Sequence, residues 1–185
     1  WRKAKKKWKL ENEDENEFRK SVCELMIHGC DIDDEALDLA KAVMWISAGC
    51  PKNGLTLNFF NGDSLKTGPC PDIKQWEKYT NFDVVTGYDA VFGNPPYVRV
   101  RPSEISKFST NRCRNLYSAF TELSINLLNN EGSFSFIVPQ SIVVSNDADC
   151  LRKYLLKQAA EIRLQIFDSV PDFLFDQGKI ESNSN

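Results

Sequence analysis

The sequence predicts an α/β fold with a mostly parallel, doubly wound sheet. Three short apolar segments, residues 25–31, 55–60 and 88–93, have the length and composition of strands. Helical patterns lie between such segments, and alternating strands and helices form βα units whose helices cover both faces of a parallel sheet. Each segment ends at polar residues, which predicts a ligand site where the strands end.

The first half of the chain contains clear start and stop signals. Residues 1–24 carry six basic residues at positions 2–9 and then a run of acids, which predicts an N-terminal helix or loop. Asp33 is a candidate N-cap for a helix, and Pro51 begins a predicted turn that ends at Gly54. The residues with helical spacing after Asp33 are Ala36, Leu37, Ala40, Val43 and Met44.

The second half predicts a loop and further helix–strand alternation. Residues 67–81 are expected to form a loop or short helix, and residues 98–114 an exposed loop with few apolar anchors. The later elements are a helix over 116–128, a helix end at 129–132, a strand over 133–139, a helix over 147–159, a strand over 162–167 and a polar tail over 177–185.

Composition excludes several classes of protein. The chain has 185 residues, a size that fits one domain, and it contains no run of eighteen apolar residues that would span a membrane. Its net charge of −3 is unusual for a dedicated nucleic-acid binder. With one histidine and no C-x-x-C pair, a metal cluster is not expected, and scattered cysteines indicate unpaired thiols in a reducing cytoplasm.

The segment Asn94-Pro95-Pro96-Tyr97 has the residues needed to act on a conjugated amine. The lone pair of such a nitrogen, as in adenine, is delocalised into the ring, and two acceptors aimed at its hydrogens would free that pair for a methyl group. The Asn94 side chain supplies one acceptor and the Pro95 carbonyl the other, while Pro96 helps to make the turn rigid. Tyr97 offers an aromatic face on which a flipped base can stack.

Two acidic residues follow the earlier strands. Asp31 stands where a carboxylate can accept from both ribose hydroxyls of a nucleoside cofactor, with Ile32 against the adenine ring. Asp63 can accept from the cofactor's adenine amine, and the N–H of Ser64 or Leu65 can donate to the ring. An ordinary helix-start acid at Asp31 and a plain Asn-Gly-Asp turn at Asp63 are the alternatives.

These motifs resemble the adenine-specific DNA methyltransferases of type I and type IIG restriction–modification enzymes. Gly29-Cys30-Asp31-Ile32-Asp33 is similar to that family's cofactor-acid motif, and Asn61-Gly62-Asp63-Ser64-Leu65 to the motif after its third strand. Phe92-Gly93-Asn94-Pro95-Pro96-Tyr97-Val98 is close to its catalytic motif. The helix and strand patterns that begin at Leu116 and Gly132 have the family's spacing. The resemblance covers about residues 25–176.

The resemblance implies a Rossmann-like fold, S-adenosylmethionine as the cofactor and double-stranded DNA with a flipped adenine as the substrate. It assigns Asp31 and Asp63 to the cofactor, and it assigns Asn94, Pro95 and Tyr97 to the target base. It also implies a second stacking aromatic, for which Phe175 is the candidate and Phe173 the alternative. A specificity domain or subunit is an implied partner.

Basic side chains follow the catalytic motif and are candidates for contacts with DNA phosphates. Arg99 and Arg101 are the nearest candidates for DNA contact. The whole group consists of Arg99, Arg101, Lys107, Arg112 and Arg114.

One feature of the resembling family is missing from the sequence. A glycine-rich loop normally precedes the cofactor-acid motif, but the nine glycines here include no G-x-G pair. We therefore expect a catalytic domain that is partial over 25–176, cut from a longer protein, and a chain that by itself binds cofactor weakly or not at all. Methylation of a protein glutamine or of ribosomal RNA, and an inactive or split domain that binds DNA or a partner subunit, remain alternatives.

Overall fold

The computed structural model describes residues 14–66 and 87–167. It begins with helix α1 (Glu15–Leu25), which the Asp14 side chain caps by accepting from Asn16 N–H at 2.7 Å. Phe18 and Cys23 are buried on its inner face. Leu25 therefore ends a helix and does not begin the strand predicted over 25–31.

The first βα unit has the predicted order. Strand β1 (His28–Asp31) is followed by helix α2 (Asp34–Ser47) and by strand β2 (Asn58–Asn61), which pairs with β1 in parallel. Asp33 is the N-cap of α2, as predicted, and accepts from the N–H groups of Glu35 and Ala36 at 2.9 and 3.4 Å. The N–H of Gly54 donates to the Pro51 carbonyl at 3.1 Å, which confirms the predicted turn.

A second parallel pair carries the asparagine–proline segment. Strand β3 (Tyr88–Gly93) has the predicted bounds and pairs with strand β4 (Leu128–Phe136), with Gly93 opposite Phe136. Helix α3 (Leu116–Leu127) runs directly into β4. Asn94 therefore follows the last residue of a strand that has a parallel neighbour.

The sequence predicted one sheet, whereas the described residues form two separate two-stranded parallel sheets, β1–β2 and β3–β4. The β1 and β3 sides approach each other at His28 and Tyr88, whose rings meet edge to face with centroids 5.4 Å apart. The α/β class and the parallel pairing are as predicted. A single doubly wound sheet is not formed by these residues.

Two other predictions about strands were wrong. Residues 129–132 were expected to end a helix, but they lie in β4, because pairing with β3 outweighs their local preference for a turn. The strand expected over 162–167 is absent: this segment has no regular structure, and Leu164 and Ile166 are exposed. An alternating pattern forms a strand only beside a partner, and no described strand pairs with this segment.

Two apolar clusters hold the second half of the structure together. One contains Leu65, Ile105, Phe108, Ala119 and Leu123. The other contains Cys113, Tyr117, Ile142, Leu151 and Leu155. Both clusters include residues of 98–114, so this segment is anchored to the core and is not the weakly anchored loop that the sequence predicted.

The last described elements pack against α3. They are helix α4 (Ser141–Val144), a 3-10 turn (Asn146–Ala148) and helix α5 (Asp149–Gln158). Cys150 of α5 forms a disulfide with Cys113, with Cα atoms 6.2 Å apart, where the sequence predicted unpaired thiols. Among the described helices, none is long and apolar enough to cross a bilayer.

Candidate active site

The ends of β1 and β2 bring two carboxylates to one place. The Gly62 N–H donates to the Asp31 carbonyl at 2.8 Å, and the Cys30 thiol donates to the Gly62 carbonyl at 3.3 Å. Burial raises the pKa of the Cys30 thiol, and the negative charges of Asp31 and Asp63 raise it further. Because β1 and β2 are parallel, Asp31 and Asp63 lie at the same end of this strand pair.

The Asp31 carboxylate is exposed, and the main chain two residues later orients it. One of its oxygens, Oδ1, accepts from the Asp33 N–H at 2.9 Å. Ile32 is 69% exposed, and the Asn61 side chain donates to its carbonyl at 3.2 Å. The open carboxylate can accept hydrogen bonds from a ligand, and the exposed apolar side chain beside it can pack against the flat face of a ring.

Asp63 forms a tight turn at the end of β2. Its Oδ1 accepts from the Leu65 N–H at 3.0 Å, and its Oδ2 lies 3.2 Å from Lys66 Nζ. The Leu65 N–H, which the sequence offered as a donor to a cofactor ring, is thus used within the turn. Ser64 lies beside it and is partly buried.

The asparagine–proline segment lies at the end of β3. Asn94, Pro96 and Tyr97 are exposed, and Pro95 is buried. The Tyr97 hydroxyl lies 2.5 Å from Asn94 Oδ1 and 2.9 Å from the Ile137 carbonyl, and burial of the hydroxyl raises the pKa of Tyr97. The Tyr97 side chain is still 43% exposed, which leaves ring surface available for stacking.

The structure has two polar corners, one with Asp31 and Asp63 at the ends of β1 and β2 and one with Asn94–Tyr97 at the end of β3. The segment that follows Asp63 joins them. Leu65 is buried in one cluster with Ile105 and Phe108, which belong to the chain after Tyr97. Lys107 Nζ donates to the Lys66 carbonyl at 3.3 Å. The end of β2 and the segment after β3 are therefore parts of one packed structure.

The five basic residues between Arg99 and Arg114 are all exposed. Arg99 is paired with Asp147, with 2.9 Å between nitrogen and oxygen. Arg114 has a φ of 54°, a left-handed conformation that is uncommon for residues other than glycine. No ion pair involving the Arg101 side chain occurs within the described residues.

Sequence reasoning missed a buried acid that shapes this segment. Glu122 of α3 is 7% exposed, and its carboxylate accepts from Ser109 N–H, Ser109 Oγ and Thr110 N–H at 3.0, 2.9 and 2.9 Å. The one available signal was an acid on a largely apolar helix. Its partners lie twelve and thirteen residues earlier, so no local pattern identifies them.

Two candidate residues cannot be placed. Phe175 and its alternative Phe173 lie outside the described residues. The second stacking aromatic therefore stays a prediction.

Two comparisons with known proteins identify the family of this chain. A "Type II methyltransferase M.TthHB8I" of Thermus thermophilus is 32% identical over 108 residues, an alignment that covers 49% of this chain and 23% of that relative. The chain thus spans less than a quarter of the relative's length. The Eco57I restriction-modification methylase family matches residues 26–173, which include β1 to α5 and both polar corners. A match over more than half of the chain, with the motifs at the strand ends, means that this chain belongs to the Eco57I restriction-modification methylase family.

Proposed function

We propose that this chain carries the base-binding part, and the carboxylates of the cofactor site, of an enzyme that transfers a methyl group from S-adenosylmethionine to N6 of adenine in DNA. The observation that supports this most directly is the Asn94–Tyr97 segment at the end of a parallel strand, with the Asn94 and Tyr97 side chains exposed. Family membership supports methyl transfer. The segment suits a conjugated or amide-like nitrogen such as that of adenine, and the exposed basic side chains that follow it favour DNA.

Two oxygens at this corner suit an amine with two hydrogens. Asn94 Oδ1 has two lone pairs and can accept from the adenine amine. The Pro95 carbonyl is the second acceptor. Acceptors held in place before the reaction favour the transition state because they need no reorganisation as positive charge develops on the nitrogen.

The residues at the ends of β1 and β2 fit the polar half of the cofactor. With Asp31 Oδ1 held by the Asp33 N–H, the second carboxylate oxygen would accept from the ribose hydroxyls, and Ile32 would lie against the adenine ring. Asp63 would accept from the cofactor's amine, and Ser64 N–H would donate to its ring. When bound, S-adenosylmethionine supplies a methyl group already activated by its sulfonium, so the protein needs no obligatory general base.

The exposed arginines suit the negative backbone of DNA. Arg101 and Arg99 follow Tyr97 closely, so phosphate contacts there would place the duplex beside the base site. Such contacts position DNA without reading its sequence. A specificity domain or subunit is therefore part of the proposal.

The test is methyl transfer by the protein as its gene encodes it. With labelled S-adenosylmethionine and unmethylated DNA, we expect labelled N6-methyladenine after digestion and mass spectrometry. Asn94→Ala removes one acceptor and is expected to lower kcat by roughly 100- to 1,000-fold, a loss typical of removing one preorganised polar group. The matched control is Asn126→Ala, which removes an exposed amide from the same half of the structure.

The same assay separates the alternatives. Label in a protein glutamine or in ribosomal RNA, with none in DNA, would replace DNA adenine as the substrate. DNA binding without transfer to any of the three substrates would favour an inactive or split domain. Equal activity of Asn94→Ala and wild type would contradict the proposed role of Asn94.

A further inference from the structure

The Tyr97 hydroxyl has one hydrogen and two acceptors within reach, Asn94 Oδ1 at 2.5 Å and the Ile137 carbonyl at 2.9 Å. We propose that this hydroxyl is a positioning group, which holds the Asn94 amide when no base is present and transfers its hydrogen bond to Ile137 when the target amine enters. This inference rests on the function proposed above. It gives Tyr97 a second task besides stacking.

Asn94 needs such a partner because of the prolines that follow it. An asparagine in a turn commonly bonds to the main-chain N–H two residues later. Here that residue is Pro96, which has no N–H, and Pro95 also lacks one. The Tyr97 hydroxyl, one residue further along, donates to Asn94 Oδ1 instead.

Without a partner, the exposed Asn94 amide would be poorly oriented. The last torsion of an asparagine is broad and roughly two-fold, so its oxygen and nitrogen can exchange places. Among the described residues, the Asn94 side chain accepts a hydrogen bond from Tyr97. In the structure this hydroxyl donates to Oδ1, so the oxygen of the Asn94 amide, and not its NH2 group, lies against Tyr97.

The Ile137 carbonyl is a fixed second acceptor. Ile137 N–H donates to the Gly93 carbonyl at 3.2 Å, so Ile137 is tied to the residue that precedes Asn94. The hydroxyl can change acceptor by turning about its C–O bond, without moving the ring. The exchange keeps one neutral hydrogen bond, and it requires Asn94 Oδ1 to move toward the amine, because the 2.5 Å contact between the two oxygens then lacks a hydrogen.

The exchange matters because a donor weakens the oxygen to which it donates. While Tyr97 donates to Asn94 Oδ1, that oxygen has less electron density to offer to an amine. Once the hydroxyl turns to Ile137, both lone pairs of Oδ1 are available. Tyr97 thus orients Asn94 before the reaction and releases it during the reaction.

The first test is Tyr97→Phe in the protein as its gene encodes it, with DNA as the methyl acceptor. We expect kcat to fall roughly 3- to 10-fold, the effect of one neutral hydrogen bond, and KM for DNA to stay within about twofold because the ring remains. Tyr97→Leu removes the ring as well and should raise KM. Tyr154→Phe is the matched control, since its hydroxyl donates to Asn126 Oδ1 at 3.2 Å, in the same chemical pairing at another position. Wild-type kcat in Tyr97→Phe, or a change in KM alone, would overturn the proposal.

A second measurement does not depend on catalysis. With nitrogen-15 asparagine, the Asn94 side-chain amide of the wild type should give two well-separated proton signals. In Tyr97→Phe the two signals should converge, and the amide group should become more mobile. Unchanged Asn94 signals in that variant would overturn the positioning role even if the wild type methylated no DNA. Failure of wild-type methylation would instead count against the proposed function.

Discussion

The main-chain N–H of Gly62 donates to the main-chain carbonyl of Asp31 across 2.8 Å, one residue beyond the last strand pair of β1 and β2. This bond carries the parallel pairing past the strands and fixes the backbone that presents Asp31. The position of the Asp31 side chain therefore depends on residues more than thirty positions later. The first prediction concerns this carboxylate.

Asp31→Asn should weaken cofactor binding. The substitution removes the charge and one acceptor, and it keeps an oxygen for the Asp33 N–H. A hydrogen bond to a charged group contributes about 1.5–3 kcal/mol, so we expect the Kd for S-adenosylmethionine to rise roughly 10- to 150-fold in titration calorimetry. Asp34→Asn is the control, because Asp34 is an exposed acid in the first turn of α2. Equal affinities of the two variants would remove Asp31 from the cofactor site.

Glu122→Gln should destabilise the fold. The buried carboxylate accepts from three donors, and the amide would turn its NH2 group toward at least one of them. Because a buried donor without an acceptor costs about 1–3 kcal/mol, we expect the free energy of unfolding in urea to fall by about 2 kcal/mol. Glu131→Gln, an exposed acid on β4, should have little effect. If both variants unfold at the same urea concentration, Glu122 does not hold residues 109–110.

His28 should make stability depend on pH. Burial lowers the pKa of its imidazole below 6.5, and neither ring nitrogen has a hydrogen-bond partner within residues 14–66 and 87–167. The folded state therefore binds a proton less readily than the unfolded state. The stabilisation is fully present above pH 6.5 and is lost as pH falls from there through the folded-state pKa.

The measurement is urea unfolding at pH 7.5 and at pH 5.5, for the wild type and for His28→Gln. Carboxylates titrate in both proteins, so the difference between their pH dependences isolates the imidazole, the one histidine of the chain. We expect the wild type to lose more stability than the variant on acidification. An equal loss in both would mean that the imidazole is solvated in the folded protein.

Arg101→Ala should weaken binding to DNA of any sequence. A contact with one phosphate displaces about one counterion, so the slope of log affinity against log salt concentration should decrease by about 1. Arg163→Ala is the control, because Arg163 is an exposed arginine whose nitrogen lies 2.7 Å from Glu161. Matching salt slopes for wild type and Arg101→Ala would place the DNA elsewhere.

Asp147→Ala should have the opposite effect on DNA binding. It releases Arg99 from its ion pair, which is exposed on both sides and contributes at most about 1 kcal/mol. We expect affinity for DNA to increase up to about fivefold at low salt, measured by fluorescence anisotropy, with no gain in Asp147→Ala combined with Arg99→Ala. A gain that persists in the double variant would reflect the lost negative charge alone.

The sequence predicted those features of the fold that depend on neighbouring residues. The bounds of β3, the N-cap Asp33 and the turn that begins at Pro51 all follow from the residues themselves. The presence of Asp31 and Asp63 at strand ends was also predictable, because polar residues follow apolar runs in both cases.

Partners that are distant in sequence account for the rest. Residues 129–132 were expected to end a helix and instead pair with β3, where an added Cβ at Gly132 would lie 2.8 Å from the Tyr88 carbonyl oxygen. That glycine serves close backbone approach and does not end the helix. Likewise, no pattern near Glu122 or Ile137 reveals that they contact residues 109–110 and Tyr97.

The direct passage from α3 into β4 has a consequence for how the protein tolerates change. Helix α3 ends at Leu127 and the strand begins at Leu128, with no residue between them to absorb an insertion. One added residue there would reverse the faces of β4 and move the Ile137 carbonyl by about 3.3 Å, out of reach of Tyr97. Insertions at this junction should therefore lower methylation while the helix itself stays folded.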